Sequence, residues 1–143
     1  MLVKNILDMK GRDVVAIAAG ETVSEAARLL ARRRIGAVVV RDEAGMLAGI
    51  LSERDVVRAV ADGSVTALAR PVADYMTRAV ATCGLQDTVE DLMEMMTIGR
   101  FRHVPVLDDG MVCGIVSIGD VVKTRIEETE LEATSLRAYI SAA

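Results

Sequence analysis

Apolar and polar positions follow the same order twice along the chain. In each half a short extended run, "VVAI" at 14–17 or "AVAT" at 79–82, precedes a stretch whose apolar residues recur at helical spacing. Next come a buried strand ("GAVVV"; "HVPV"), a turn ("RDEAG"; "LDDG"), a second strand ("MLAGIL"; "MVCGIV") and a second helix beginning at Ser52 or Ser117. The pattern predicts a β-α-β-β-α unit present twice, which is a mixed α/β (α+β) fold.

The two units also share residues. "GILSERDVV" at 49–57 matches "GIVSIGDVV" at 114–122, and aligning the halves brings fourteen identical positions together, far more than ordinary residue frequencies would give. The first helix of each unit opens at Thr22 or Thr88, each followed three residues later by an acid, as at a capped helix N-terminus. We expect the halves to pack together, because a unit of about 60 residues buries too little surface to be stable alone.

Segments outside the repeat indicate how the halves are connected. "ADGSVTALARP" at 61–71 has the small and helix-breaking residues of a connector, and its "TALAR" predicts a helical turn. Beyond Asp120 the chain runs on without Gly or Pro, and its spacing predicts one long helix with a seam of Val122, Ile126, Thr129, Ala133, Leu136 and Ile140. We expect that helix to pack on a partner subunit or back on the pair. The predicted segments are 1–62, a connector 63–71, 72–126 and a helical extension 127–143.

Composition narrows the class of protein. Apolar residues make up 52% and aromatic residues only 2%, so aliphatic side chains must fill the core. The longest uninterrupted apolar run, "VVAIAA" at 14–19, is far shorter than the roughly 18 residues of a membrane span, and no signal peptide is recognisable, which favours a cytoplasmic protein without membrane contact. A net charge of −4 provides no broad positive electrostatic field that would attract nucleic acid. Cys83 and Cys113 are 30 residues apart and have no partner pair, so we expect buried free thiols and no metal site.

The duplicated order, the strand "HVPV" followed by "LDDG", and the closing "GIVSIGD" resemble the CBS domain, here as the tandem pair called a Bateman module. The resemblance extends from Val3 to about Ile126. It implies two sheets packed about a pseudo-two-fold axis, with two clefts that bind adenosine-containing ligands such as AMP, ADP, ATP, NAD(H) or S-adenosylmethionine. It implies no catalytic cofactor.

Each closing motif supplies a serine and an aspartate to a strand-to-helix turn. Ser52 and Ser117 can cap backbone N–H groups, and the same helix ends favour a phosphate oxygen nearby. Asp55 and Asp120 lie three residues on, and a carboxylate can accept both hydroxyl protons of a ribose, the role that the family resemblance implies. Ser-x-x-Asp is also close to a plain capping box, which needs no ligand.

Basic residues are divided between the copies. "FRHVPV" places Arg102 and His103 at the mouth of the second copy's strand, whereas the first copy offers Arg54, where the second has Gly119. We expect these three cations to converge on one phosphate chain and to leave the other cleft poor in charge. His103 has a structural alternative as a partly exposed strand-end residue.

The adenine requires a flat apolar slot. By family position, the candidate residues are Ile17, Val38, Val39, Met76, Thr82, Val104 and Pro105, although each has an alternative as ordinary core. Lys10 and Arg12, in what reads as a longer loop of the first copy, are expected to border a cleft.

These features favour a regulatory protein that senses adenine nucleotides and catalyses no reaction. We expect it to form a homodimer and to act on a regulated protein that the sequence does not identify. The alternative is a ligand-free assembly module that acts through its C-terminal helix. A third hypothesis is an enzyme that uses Ser117, His103 and Asp120 as a catalytic triad. Their spacing supplies no nucleophile elbow, so we predict no catalytic residue.

Overall fold

A computed structural model of the chain describes residues 1–142. Its helices are α1 (Val3–Lys10), α2 (Val23–Arg33), α3 (Glu53–Gly63), α4 (Val89–Gly99) and α5 (Ile118–Ala142), with short 3₁₀ segments at Ser64–Ala69 and Val72–Asp74. Its strands are β1 (Ala16–Ala18), β2 (Ala37–Arg41), β3 (Leu47–Ser52), β4 (Cys83–Gly84), β5 (His103–Asp108) and β6 (Met111–Ser117). The mixed α/β fold and the duplicated unit are confirmed.

The strands form two sheets of identical topology, in the orders β1-β2-β3 and β4-β5-β6. The outer strand is parallel to the central one, and the closing hairpin is antiparallel. Both hairpins change register at matching positions, after Val40 and after Val106. The pairing therefore places Ser52 opposite Ala37 and Ser117 opposite His103, at the edge where each hairpin enters its helix.

The predicted helix starts are confirmed. The Thr22 hydroxyl oxygen accepts the backbone N–H of Glu25, and Thr88 forms a reciprocal capping box with Asp91. Such caps satisfy backbone donors that have no partner within the helix. Residues 66–69 of the predicted "TALAR" turn lie in the 3₁₀ segment Ser64–Ala69, and Arg70 is its C-cap.

Each half sends its leading segment into the core of the other. Val3, Ile6 and Leu7 of α1 are buried in the cluster that includes Val104 and Val116 of the second sheet. Val72 and Met76, which precede the second unit, are buried with Val38, Val40 and Leu51 of the first. The halves thus share two interlocked cores, as the size argument requires.

Two sequence expectations for the leading segments were wrong. The "loop" that carries Lys10 is the end of helix α1, which the spacing of Val3, Ile6 and Leu7 could have indicated. Residues 79–82 are not a strand, since β4 begins only at Cys83. The chain before β4 instead pairs its Thr77 backbone with Ile50 of the first half.

The long C-terminal helix is present as predicted, and it extends over 25 residues. Its seam residues Val122, Ile126, Leu136 and Ile140 are between 48% and 64% exposed, so an apolar face is open in the single chain. None of the helices within residues 1–142 has the length and apolar composition of a membrane span.

Candidate functional site

A cavity of about 470 Å³ lies where the two halves meet. The first half contributes Gly36, Ala37, Ile50, Ser52, Glu53, Arg54, Asp55, Val57 and Arg58, and the second contributes Thr77, Ala79, Val80, Ala81, Arg100, Phe101, Arg102 and His103. One wall is the first turn of α3, because β3 ends at Ser52 and the chain turns directly into the helix. Small-molecule sites commonly have volumes of about 300–1,000 Å³.

Asp55 is fixed at the cavity by the cap of α3. Its Oδ2 accepts the Ser52 N–H at 2.9 Å and the Ser52 hydroxyl at 3.1 Å, while the Asp55 N–H donates to the Ser52 hydroxyl oxygen at 3.3 Å. The residue is only 7% exposed, and its Oδ1 is 3.8 Å from the nearest guanidinium nitrogen of Arg58. The cap therefore uses one carboxylate oxygen and leaves the other able to accept hydrogen bonds from a ligand.

The predicted cations Arg54, Arg102 and His103 all line this one cavity. Arg100 and Arg58 line it as well, so four arginines face two acids in a chain whose overall charge is −4. Among the ion pairs and hydrogen bonds within residues 1–142, none involves the guanidinium of Arg54 or of Arg102. The first copy's site is thus locally positive, with two guanidinium groups available for an anion.

His103 is held against the first half by a glycine. A Cβ atom at Gly36 would lie 2.9 Å from the imidazole Cε1 and 3.0 Å from Nε2, so the ring packs directly on the Gly36 backbone. Burial lowers the pKa of His103 below its ordinary value of 6.5; the nearby Glu53 opposes this effect, and Lys10 adds to it. Burial therefore favours the neutral imidazole, and an approaching phosphate anion would raise the pKa of His103 again by stabilising the imidazolium.

Asp120, the counterpart of Asp55, has a different environment. It forms the same cap, with its Oδ2 accepting the Ser117 N–H at 2.8 Å, but the Lys10 ammonium also lies 2.7 Å from that oxygen. Partial burial raises the pKa of Asp120, yet the hydrogen bonds from Lys10 and from the Ser117 backbone outweigh it, and the net pKa lies below the ordinary value. Ser117 and Asp120 do not line the cavity.

The geometry gives no support to a Ser117, His103 and Asp120 catalytic set. The Ser117 hydroxyl oxygen accepts the Asp120 N–H at 3.2 Å, and the Asp120 carboxylate binds Lys10. Within residues 1–142, no hydrogen bond joins the His103 imidazole to either residue. Nucleophilic catalysis needs a base in contact with the hydroxyl, so the cap explains the serine and the aspartate better.

The seven predicted adenine residues lie outside this cavity. Val38, Val39 and Val104 are fully buried, Met76 is 8% exposed and covers Gly49, and Pro105 is buried within β5. Ile17 and Thr82 are half-buried, and Ile17 packs against the first core. The apolar wall is instead formed by Ala37, Ile50, Val57, Val80 and Phe101.

Sequence reasoning did not identify the segment from Thr77 to Ala81 as a cavity wall. The only available signal was the departure of "YMTRAVAT" from the corresponding stretch of the first copy. A second recess, of about 420 Å³, is lined by Asp13, Val14, Val15, Ala16, Leu29 and Arg33 and contains no predicted site residue. Neither Lys10 nor Arg12 lines either cavity, and the Arg12 guanidinium lies 3.6 Å from Asp8.

Comparison with known proteins agrees with the duplicated topology. The sequence model of the CBS-domain family matches the chain twice, at residues 3–62 and 72–127. The chain belongs to the CBS-domain family. The CBS-domain containing protein ATU1752 from Agrobacterium tumefaciens is 50% identical, with a TM-score of 0.84 over 87% of this chain and 92% of that one. The mitochondrial CBS domain-containing protein CBSX3 of Arabidopsis thaliana is 36% identical over 84% of this chain, which spans only 60% of that relative's length.

Other CBS-domain neighbours were solved with ligands. The CBS domain protein PAE2072 from Pyrobaculum aerophilum, complexed with AMP, is 28% identical, with a TM-score of 0.75 over 84% of this chain and 89% of that one. The CBS domain pair of protein MJ0100, in complex with 5′-methylthioadenosine and S-adenosyl-L-methionine, is 28% identical, with a TM-score of 0.80 over 90% and 98%. Adenosine-containing ligands are thus bound by CBS-domain pairs that share this fold.

Proposed function

We propose that this CBS-domain protein is a non-catalytic regulatory sensor that binds a phosphorylated adenosine ligand, of the AMP, ADP, ATP or NAD(H) type, in the cavity between its halves. The observation that carries the proposal is that one cavity contains both an available carboxylate oxygen on Asp55 and the guanidinium groups of Arg54 and Arg102, which make no ion pair within residues 1–142. The carboxylate oxygen can accept a hydrogen bond from a ribose hydroxyl, and the guanidinium groups can donate hydrogen bonds to a phosphate.

The charge of the cavity favours a phosphorylated ligand over a neutral or cationic one. Four arginines and His103 line it, against Glu53 and Asp55. Arginine binds phosphate oxygens through two parallel N–H bonds, and the first turn of α3 adds the positive end of a helix dipole. The apolar wall, with Ile50 and Phe101, offers a surface for the purine ring.

Calorimetric titration with AMP, ADP, ATP, NAD, NADH, S-adenosylmethionine and 5′-methylthioadenosine tests the ligand class. We expect at least one phosphorylated ligand to bind and 5′-methylthioadenosine to bind more weakly, because it has no phosphate. Absence of binding by every ligand would reject the proposal. Turnover of any of them would show that the protein is an enzyme.

Asp55→Asn tests the ribose contact with the cap preserved. The amide oxygen can still accept the Ser52 N–H, whereas its NH₂ group cannot accept from a ribose hydroxyl. Loss of a charged hydrogen bond of about 1.5–3 kcal/mol corresponds to about a 10- to 150-fold weaker affinity. Asp91→Asn is the matched control, because Asp91 occupies the same cap position in α4 but lies outside the cavity. Equal affinities in the two variants would show that Asp55 is only a cap.

An assembly role through α5 is the second candidate, because this helix exposes Val122, Ile126, Leu136 and Ile140 on the predicted seam. We infer a homodimer formed on this face, through which ligand binding in the cavity would reach a regulated protein. Ile126→Glu with Leu136→Glu should convert a dimer to a monomer in sedimentation, while Glu130→Gln on the same helix should not. A monomeric wild-type protein at micromolar concentration would contradict the inference.

A further inference from the structure

We propose that Lys10 is an internal occupant of the second copy's site, so that the chain binds one adenosine ligand rather than two. The inference rests on the proposed function of the cavity, since it assumes that Asp55 and Asp120 are equivalent ribose acceptors. It goes further by assigning a role to the C-terminal residue of α1.

The matched positions of the two copies differ at one contact. In the first copy, the backbone of Ile50 forms two hydrogen bonds with Thr77, of 3.0 and 2.9 Å, and the Asp55 carboxylate faces the open cavity. In the second, the Lys10 ammonium donates to the carbonyl of Ile115, the counterpart of Ile50, at 2.9 Å. A side-chain cation has thus replaced a backbone strand contact.

The same ammonium neutralises the second copy's carboxylate. Lys10 Nζ lies 2.7 Å from Asp120 Oδ2, which already accepts the Ser117 N–H. The cap and Lys10 both engage Oδ2, so a ribose hydroxyl would have only Oδ1 to bind and would compete with the ammonium for a carboxylate whose charge is already compensated. Neither Asp120 nor Ser117 lines the cavity or the recess at residues 13–16.

The lysine is held in this position by its helix. α1 is anchored to the second half by the Val3 N–H to the Asp87 carbonyl (2.8 Å) and the Lys4 N–H to the Leu85 carbonyl (3.0 Å). Leu7, one turn before Lys10, packs on Gly114, where an added Cβ would lie 2.7 Å from both Leu7 methyl groups. Lys10 therefore reaches Asp120 from a fixed backbone, and its side chain remains only 35% exposed.

Four proteins, titrated separately with AMP and with adenosine, test the inference: wild type, Lys10→Met, Asp55→Asn, and the double variant. Methionine keeps the apolar stem and removes the charge. We expect one site per chain in the wild type, two in Lys10→Met for at least one of the probes, at least tenfold weaker binding in Asp55→Asn, and one restored site in the double variant. Lys4→Met, on the exposed part of the same helix, should leave one site.

Two sites in the wild type, or a single site in Lys10→Met with none restored in the double variant, would overturn the inference while leaving the proposed function in place. Binding by none of the proteins would reject both. A carboxyl ¹³C titration of Asp120 accompanies the series and does not depend on a ligand. The pKa of Asp120 should rise in Lys10→Met if the variant is folded and the ion pair is lost, and an unchanged pKa would also overturn the inference.

Discussion

Gly49 and Gly114 occupy the same position in the two copies, and replacing each by alanine should have unequal effects. A Cβ at Gly49 would lie 2.7 Å from the Met76 Sδ and 2.7 Å from the Thr77 carbonyl oxygen. The three atoms nearest to a Cβ at Gly114 would all belong to the Leu7 side chain, with its two methyl carbons at 2.7 Å and its Cγ at 3.3 Å. A side chain can rotate away, whereas the Thr77 carbonyl is fixed by its 3.0 Å hydrogen bond from the Ile50 N–H.

The backbone contact sets the magnitude for Gly49→Ala. Overpacking a well-packed core costs about 1–3 kcal/mol, and we place Gly49→Ala at the upper end, because Thr77 must move and its two bonds to Ile50 must lengthen. About 2–3 kcal/mol corresponds to a fall in Tm of about 5–10 °C for a chain of this size. Gly114→Ala should cost about 1–2 kcal/mol, since the Leu7 methyl groups can shift.

The two variants should also differ in their affinity for AMP. Ile50 and Thr77 line the cavity, so Gly49→Ala should also weaken AMP binding, while Gly114→Ala should leave it unchanged. Urea unfolding and calorimetric titration measure the two effects. Gly119→Ala is the control, because its Cβ would find nothing closer than the Ser117 hydroxyl at 3.6 Å. A Gly49→Ala protein as stable as the wild type, or less damaged than Gly114→Ala, would refute the reasoning.

The remaining predictions concern the titration of His103 and the reactivity of the two cysteine thiols. His103 is the single histidine, so its Hε1 NMR signal should report a pKa below 6.5 in the free protein and a higher pKa with AMP bound, because a phosphate stabilises the imidazolium. AMP affinity should then increase as the pH falls through the bound-state pKa, and an AMP-independent pKa would contradict the phosphate contact. Without ligand, His103 should lower stability as the pH falls below 6.5, since the unfolded chain binds that proton more tightly. Burial raises the pKa of Cys83 to about 12, so iodoacetamide at pH 8 should alkylate the half-buried Cys113 first; faster labelling of Cys83 would show that the core opens.

Local sequence signals were sufficient to predict the two repeated units and the residues at which their helices begin. The duplicated motif, the Thr22 and Thr88 caps and the apolar runs of β2 and β5 depend on neighbouring residues, so they can be recognised in a linear pattern. The strand predicted at 79–82 was wrong because its apolar residues line the cavity and Thr77 pairs with the other half. No local pattern distinguishes a strand from a wall of this kind.

The composition of the site depended on packing between distant residues. The sequence suggested that Arg54, Arg102 and His103 converge, and the fold brings all three to one cavity, because the first turn of α3 and the start of β5 both border it. The predicted adenine residues do not line this cavity, since an apolar side chain in a strand can face either a core or a cavity. The contact of Lys10 with Asp120 links residues 110 positions apart, and it follows from the docking of α1 on the opposite half. Identical Ser-x-x-Asp motifs therefore acquire different neighbours, because charge contacts are determined by tertiary packing and not by the motif that carries them.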